Sequence, residues 1–102
     1  ALNKVSISNL PKLVHIEFQK NRLTEFKVTG CPAVKLIRLG DNQLSKLDFS
    51  NFSELEELSL RDNPLVVLDI YGLRKLKSLD CSYTRLSNVN MSGTVSLGKM
   101  EW

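Results

Sequence analysis

The chain has 102 residues, of which 42% are hydrophobic and 25% are charged. These are the proportions of an ordinary globular domain, and they exclude a disordered, collagen-like or disulfide-scaffold chain. The net charge is only +3, and the longest wholly apolar run, Leu65 to Leu68, is far shorter than the ~18 residues that suggest a membrane span, so we expect no membrane insertion.

The sequence repeats with a period of 21 residues along its whole length. A period of this length predicts a solenoid, in which each unit buries its apolar side chains against the next unit. The predicted single domain consists of a part repeat at 1–12, repeats at 13–33, 34–54, 55–75 and 76–96, and a part repeat at 97–102.

Each unit opens on a short stretch in which apolar and polar residues alternate. This period-two pattern predicts a short strand with inward-facing apolar side chains, and the strands of successive units are expected to stack in parallel. The inward columns are Leu13, Val34, Leu55, Leu76 and Leu97; Ile16, Ile37, Leu58, Leu79 and Met100; and Phe18, Leu39, Leu60, Cys81 and Trp102.

The second half of each unit is predicted to be another extended segment rather than a helix. Only about a dozen residues remain for the return, and the segment Leu44 to Ser50 alternates in hydrophobicity toward its end. Leu2, Val5 and Ile7 extend the same return columns back into the first part repeat. The turn that follows has a column of residue types that tolerate positive φ, and this column contains Asn9, Gly30, Asn51, Gly72 and Gly93.

The pattern L-x-x-L-x-L-x-x-N-x-L resembles the leucine-rich repeat. In more detail, L-x-x-L-D-φ-S at Leu44 to Ser50 is similar to the 21-residue repeats of bacterial internalin-like and Bacteroidetes-type surface proteins. The resemblance implies a leucine-rich-repeat solenoid, of the α/β horseshoe class but β-rich. It would have a parallel concave sheet of about five short strands, extended convex returns and little helix. It also implies a secreted or cell-surface bacterial protein that acts in adhesion or host contact.

Cys31 and Cys81 are predicted to be free, buried thiols. They occupy different columns two to three units apart, and strands stacked at ~4.8 Å keep their Cα atoms beyond the ~7 Å limit for a disulfide. No His or further Cys stands at a zinc-ligand spacing, so we expect no zinc site.

Two pairs of residues have spacings that chemistry could use. His15 and Glu17 share one face of a strand, which could orient a general base, but no nucleophile is aimed at the pair, and a solvated surface histidine is the preferred interpretation. Asp41 and Asp62 stand on neighbouring strands, where they could share a calcium ion. Calcium needs six or more oxygens, so we expect a like-charge pair relieved by basic neighbours. We predict no enzyme activity, no metal and no cofactor.

A column of asparagines follows each strand and is predicted to be structural. Asn21, Asn42 and Asn63 can bond backbone groups of adjacent units, which would form an Asn ladder. Thr84 takes the fourth place and can supply only part of that bonding.

The concave face is the candidate binding surface. Its side chains are those that lie between the inward columns, and it is balanced, with six basic and six acidic residues. A nucleic-acid reader needs a basic stripe with stacking aromatics, so we expect no nucleic-acid partner. Gln19, Gly40, Gln43, Ser59, Pro64, Ser78, Asp80 and Ser82 are also expected to point outward there. The predicted partner-binding residues are His15, Glu17, Lys20, Arg22, Leu36, Arg38, Asp41, Glu57, Arg61, Asp62, Tyr83 and Arg85.

These observations favour a non-catalytic interaction module for a protein or glycan ligand. The alternative is a structural spacer, or an internal segment of a longer repeat array, with no specific ligand. The uncapped ends of the solenoid also allow end-to-end self-association, because a terminal unit exposes apolar side chains and an unpaired strand edge.

Overall fold

The computed structural model describes residues 3–48, 52–70, 73–90 and 99–101. Within these ranges the chain forms ten short strands and no helix, so no helix there is long and apolar enough to cross a membrane. In chain order the strands are β1 (Lys4–Ser8), β2 (His15–Glu17), β3 (Glu25–Thr29), β4 (Leu36–Arg38), β5 (Lys46–Asp48), β6 (Glu57–Ser59), β7 (Val67–Asp69), β8 (Ser78–Asp80), β9 (Asn88–Asn90) and β10 (Lys99–Glu101).

The even-numbered strands form one parallel sheet of five strands in the order β10-β8-β6-β4-β2. Neighbouring strands pair residues that are 21 positions apart, as Ile16 with Ile37 and Ile37 with Leu58. The sequence period is therefore the distance once around the solenoid. This arrangement confirms the prediction of about five short parallel strands.

The odd-numbered strands carry the chain back and are also parallel and in 21-residue register, as Val5 with Phe26 and Leu47 with Leu68. They form two sheets, β1-β3 and β5-β7-β9, rather than one. The prediction of extended returns is confirmed, so the described chain is a parallel β-solenoid of 21-residue coils.

The core lies between the five-stranded sheet and the return strands. Leu55, Leu58 and Leu60 from one strand region and Leu65 from the following return are all 0% exposed. Full burial of each such side chain stabilises the fold by about 2 kcal/mol. The same columns are less well covered in the first coil, where Leu13 and Phe18 are only partly buried.

A turn precedes each of the strands β2, β4, β6 and β8. The Leu13 N–H donates to the Leu10 carbonyl over 3.2 Å, and Leu55 bonds Phe52 in the same way over 3.1 Å. Pro11 stands at the second position of the first of these turns, where its fixed φ suits the backbone and no N–H is needed.

In the turn column that was predicted to tolerate positive φ, both described residues have positive φ. Asn9 has a φ of 57° and Gly30 a φ of 67°. A Cβ on Gly30 would lie 2.7 Å from the Asn9 Oδ1 atom, so successive coils touch closely here. Asn51, Gly72 and Gly93 lie outside the described residues.

A second column with positive φ lies directly before the asparagine column, and the sequence pattern did not indicate it. Lys20, Asp41, Asp62 and Tyr83 have φ values of 56° to 58°. Aspartate is enriched in this left-handed region, but lysine and tyrosine are uncommon there.

The prediction that Gly40 and Ser82 point outward is wrong, because both are buried. The strands β4 and β8 end two residues earlier, at Arg38 and Asp80, and alternation of side chains between two faces holds only within a strand. A Cβ on Gly40 would lie 3.5 Å from the Arg61 carbonyl oxygen of the next coil. The Ser82 N–H donates instead to the Asp80 carboxylate, over 2.9 Å.

Candidate functional site: the outer face of the five-stranded sheet

Two columns of predicted site residues lie side by side on the outer face of the five-stranded sheet. The strand register places His15, Leu36, Glu57 and Ser78 in the first column and Glu17, Arg38, Ser59 and Asp80 in the second. Within these two columns, the side chains from β2 are exposed and those from β4, β6 and β8 are half-buried. The face is thus polar, with Leu36 as its apolar member.

Arg38 joins three strands through its guanidinium group. The Nη2 and Nε atoms donate to Glu57 Oε2 over 2.6 and 2.9 Å, and Nη1 donates to Glu17 Oε1 over 3.4 Å. The hydrogen bond and the charge of Glu57 raise the pKa of Arg38, opposed by a smaller effect of burial. The Glu17–Arg38–Glu57 ladder therefore neutralises much of the charge on this part of the face.

Arg61 forms a second group of ion pairs on this face, between the third and fourth strands, β6 and β8. Its Nη1 lies 4.0 Å from an Asp80 oxygen, and its Nε lies 3.6 Å from an Asp62 oxygen. Its guanidinium carbon stands 5.0 Å from the centroid of the Tyr83 ring, within the range of a cation–π interaction. Even with this contact, Tyr83 is 70% exposed.

Tyr83 also lines a shallow depression of about 270 Å³, together with Asp62, Pro64 and Arg85. An aromatic ring, a carboxylate and a guanidinium group meet there. Aromatic residues and arginine are enriched in the centres of protein interfaces, so the chemistry of this depression suits a partner side chain or a polar ligand.

A second depression of about 280 Å³ lies along the other border of the five-stranded sheet. His15, Leu36 and Glu57 line it together with Ser78, which is three strands away from His15. At ~4.8 Å a strand, this hydroxyl is about 14 Å from His15 and out of hydrogen-bond reach. His15 itself is exposed.

The remaining predicted site residues lie on the turn that leaves the five-stranded sheet. Lys20, Arg22 and Asp41 are exposed, as are Asp62 and Arg85. The structure therefore divides the predicted surface into a strand region and a turn region. Among the described residues, no three His, Cys, Asp or Glu side chains are grouped so that they could hold a metal ion.

Behind this face, the side chain of Asn63 is 2% exposed and forms hydrogen bonds with two successive coils. Its Nδ2 donates to the carbonyls of Leu60 and Arg61 in its own coil, over 3.0 and 3.3 Å, and to Leu39 of the preceding coil, over 2.9 Å. Its Oδ1 accepts the Leu44 N–H over 3.1 Å. The side chain thus satisfies buried backbone groups of both coils.

Asn42 repeats this pattern one coil earlier. It donates to Leu39 and Gly40 in its own coil and to Phe18 of the preceding coil, and it accepts the Leu23 N–H over 3.1 Å. Asn21, the first residue of the column, is half-buried, and its Nδ2 donates to the Gln19 carbonyl over 3.1 Å.

In the fourth place of the column, Thr84 Oγ1 donates to Cys81 over 2.8 Å. A hydroxyl has one proton to donate. It therefore cannot reproduce the several donations that Asn42 and Asn63 make.

Cys31 and Cys81 are free and buried, which confirms the prediction. Burial raises the pKa of the Cys81 thiol to about 12, with a smaller effect from the charge of Asp80. Since the thiolate is the reactive form, Cys81 acts as a small apolar side chain in the core.

The contact between Arg61 and Tyr83 is a feature that the sequence pattern did not reveal. The two residues stand in different columns, and the period relates only residues within one column. The sequence nonetheless held one indication of an unusual side chain here. Tyr83 is the aromatic residue in the column that directly precedes the asparagine column, where the other repeats have Lys20, Asp41 and Asp62.

Comparison with protein-family models, with curated proteins and with solved structures found no match.

Proposed function

We propose that this solenoid is a leucine-rich-repeat domain whose outer, concave face binds a protein or glycan without performing chemistry. The parallel 21-residue register and the buried asparagine bonds between coils support the family assignment. A rigid sheet with an ordered array of exposed side chains supports the role in binding, since rigid side chains lose little conformational entropy when a ligand docks.

The observation that carries the proposal is the conformation and exposure of Tyr83. Its φ is 58° and its side chain is 70% exposed. Placing a tyrosine in the left-handed region costs about 1 kcal/mol, and an exposed ring regains little of that by burial. A large aromatic side chain that the fold does not need is best explained by contact with a partner.

The same resemblance that names the family suggests where the protein acts. Internalin-like repeats belong to secreted or cell-surface bacterial proteins that act in adhesion or host contact. We propose that setting for this chain, with cell-surface proteins and glycans as the classes of ligand to test.

The alternative function is a spacer, and the Glu17–Arg38–Glu57 ladder favours it. Charges that satisfy one another within the sheet are less available to a ligand, and exposed ion pairs of this kind stabilise a fold by under ~1 kcal/mol each. A spacer would use its face only to keep the coils soluble and in register.

The experiment that separates the two functions replaces Tyr83 with asparagine, a residue that tolerates positive φ. We expect the Tyr83→Asn variant to unfold at the same or slightly higher urea concentration. Binding to a printed glycan array, or to solubilised surface proteins of cultured animal cells, should be lost.

The matched control is Val67→Thr, which changes an exposed side chain on the return strand β7. It should retain every ligand of the wild type. If the wild type captures nothing, or if Tyr83→Asn captures the same ligands as the control, the spacer function is the correct one.

A further inference from the structure

The depression beside Tyr83 lies between the third and fourth coils, whose backbones are joined on both sides of it. The Asp62 N–H donates to the Ser82 carbonyl over 3.0 Å, and the Arg85 N–H donates to the Leu65 carbonyl over 2.9 Å. Tyr83 lies in the chain between these two attachment points. A site with a backbone that is fixed before a ligand arrives loses little conformational entropy on binding.

The side chains that line the depression come from two columns that also face outward in the earlier coils. Pro64 is half-buried. The other members of the two columns in the earlier coils, each with a further coil stacked on it, are exposed, and they are Lys20, Asp41, Asp62, Arg22 and Gln43. The outward direction of Tyr83 and Arg85 is therefore a property of their columns.

The ion pairs around the depression leave one guanidinium group for a ligand. Arg61 lies between two carboxylates, with its Nε 3.6 Å from Asp62 and its Nη1 4.0 Å from Asp80. Arg85 is exposed, and no carboxylate in the described part of the chain forms an ion pair with it. A guanidinium group binds a carboxylate through two parallel N–H bonds, so this side of the depression suits an anionic group.

The ring of Tyr83 offers an apolar surface next to that charge. Arg61 already lies over the ring, 5.0 Å from its centroid, and the residue is still 70% exposed. A cationic side chain of a protein partner would meet two guanidinium groups here. A wholly apolar side chain would bury Arg85 without a partner, which is costly. An acidic side chain would pair with Arg85 but would bring a second negative charge to Asp62 without a donor for it.

We infer that the ligand class of this site is an acidic saccharide, a pyranose ring that carries a carboxylate. This inference rests on the proposed binding function of the outer face and selects among its ligands. The C–H face of the sugar packs on the negative face of the Tyr83 ring, its carboxylate accepts N–H bonds from Arg85, and a sugar hydroxyl donates to Asp62. The volume of about 270 Å³ is below the ~300 Å³ at which pockets for larger ligands begin, so the site holds one sugar unit of a longer chain.

Isothermal titration calorimetry with two acidic saccharides, oligogalacturonate and sialyllactose, tests the inference. Their uncharged counterparts are methyl-esterified oligogalacturonate and lactose. We expect the wild type to bind at least one acidic saccharide, and the one that binds identifies the source of the carboxylate. The counterpart without the charge should bind at least tenfold more weakly. Arg85→Gln should weaken binding by about 10- to 100-fold, because it removes a hydrogen bond to a charged group.

The matched control is Arg74→Gln, which removes the same charge from an exposed position in the turn before β8. It should bind as the wild type does, which excludes a general attraction between a basic protein and an anionic sugar. Both variants should unfold at the same urea concentration as the wild type.

Three results overturn the inference: neither acidic saccharide binds, the uncharged counterparts bind equally well, or Arg85→Gln binds like Arg74→Gln. If the wild type instead captures proteins or neutral glycans that Tyr83→Asn loses, only the ligand class is wrong and the binding function stands. If it captures no ligand of any kind, the binding function fails as well.

Discussion

The middle coils and the first coil follow the same sequence pattern, but equivalent side chains are more deeply buried in the middle coils. Asn42 and Asn63 are buried, whereas Asn21 is half-buried. Leu39 and Leu60 are fully buried, but Phe18 in the same column is only partly covered. The burial of a residue in this solenoid therefore depends on the coils packed on both sides of it. Equivalent residues should contribute less to stability in the first coil than in the middle coils.

The largest expected effect tests this difference in one apolar column. Phe52→Ala should lower the free energy of unfolding by about 4 kcal/mol, because it removes a buried ring and leaves a cavity. Leu10→Ala, in the equivalent place of the first coil, should cost under ~1 kcal/mol, since nearly half of that side chain is in water already. Urea denaturation followed by circular dichroism measures both, and equal losses would contradict the comparison.

The asparagine column should show the same gradient. Asn63→Ala leaves two buried carbonyls and the Leu44 N–H without their side-chain partner, which should cost about 3 kcal/mol. Asn21→Ala should cost clearly less. Asn63→Thr is the control, because the equivalent Thr84 hydroxyl donates one bond to the Cys81 carbonyl, so a smaller loss in Asn63→Thr than in Asn63→Ala assigns part of the effect to a donated bond.

Gly30 provides a test in the opposite direction, because the backbone of Gly30 packs closely against Asn9 in the first part repeat. Gly30→Ala puts a Cβ 2.7 Å from Asn9 Oδ1 at a φ of 67°, and we expect a loss of about 2 kcal/mol from strain. Gly40→Ala is the matched control, since its Cβ meets only the Arg61 carbonyl at 3.5 Å and should be close to neutral. Thermal unfolding of the two variants would show whether this contact is rigid, and a near-neutral Gly30→Ala would mean that β1 can shift away.

The smallest expected effect is a gain. Thr84→Asn should raise the free energy of unfolding by about 1 kcal/mol, because asparagine can accept the Leu65 N–H and donate to the Cys81 carbonyl as its equivalents do. Thr84→Val, which keeps the shape but removes the hydroxyl, is the control and should lower stability. A loss on Thr84→Asn, measured by urea denaturation, would mean that the fourth coil differs in shape from the two before it.

The repeat made the core and the strand register predictable. Ile37 pairs with Ile16 and Leu58 because residues 21 apart share one environment, and this equivalence needs only the spacing of apolar residues. The contact of Arg38 with Glu17, 21 residues earlier, follows from the same register. Glu57 stands in the neighbouring column, so its hydrogen bonds with Arg38 are diagonal and are not given by the period alone.

Backbone conformation was predictable where the residue type marks it, as at Asn9 and Gly30, but not in the second column with positive φ. The positive φ column contains Lys20, Asp41, Asp62 and Tyr83, which share no chemical type that would mark a left-handed residue. Ser82 was placed outward because alternation was continued past the end of its strand. The position of a strand end depends on the hydrogen bonds of the next coil, and the hydrophobic pattern does not record them.

The asparagine bonds between coils also determine how this solenoid resists a pulling force. Asn63 joins the Leu60 carbonyl of its own coil to the Leu39 carbonyl and Leu44 N–H of the preceding coil. A coil peeled from the stack must break these bonds together with its strand pairs. Under tension the protein should therefore lengthen in steps of one whole unit, each releasing about 70 Å of extended chain, rather than residue by residue.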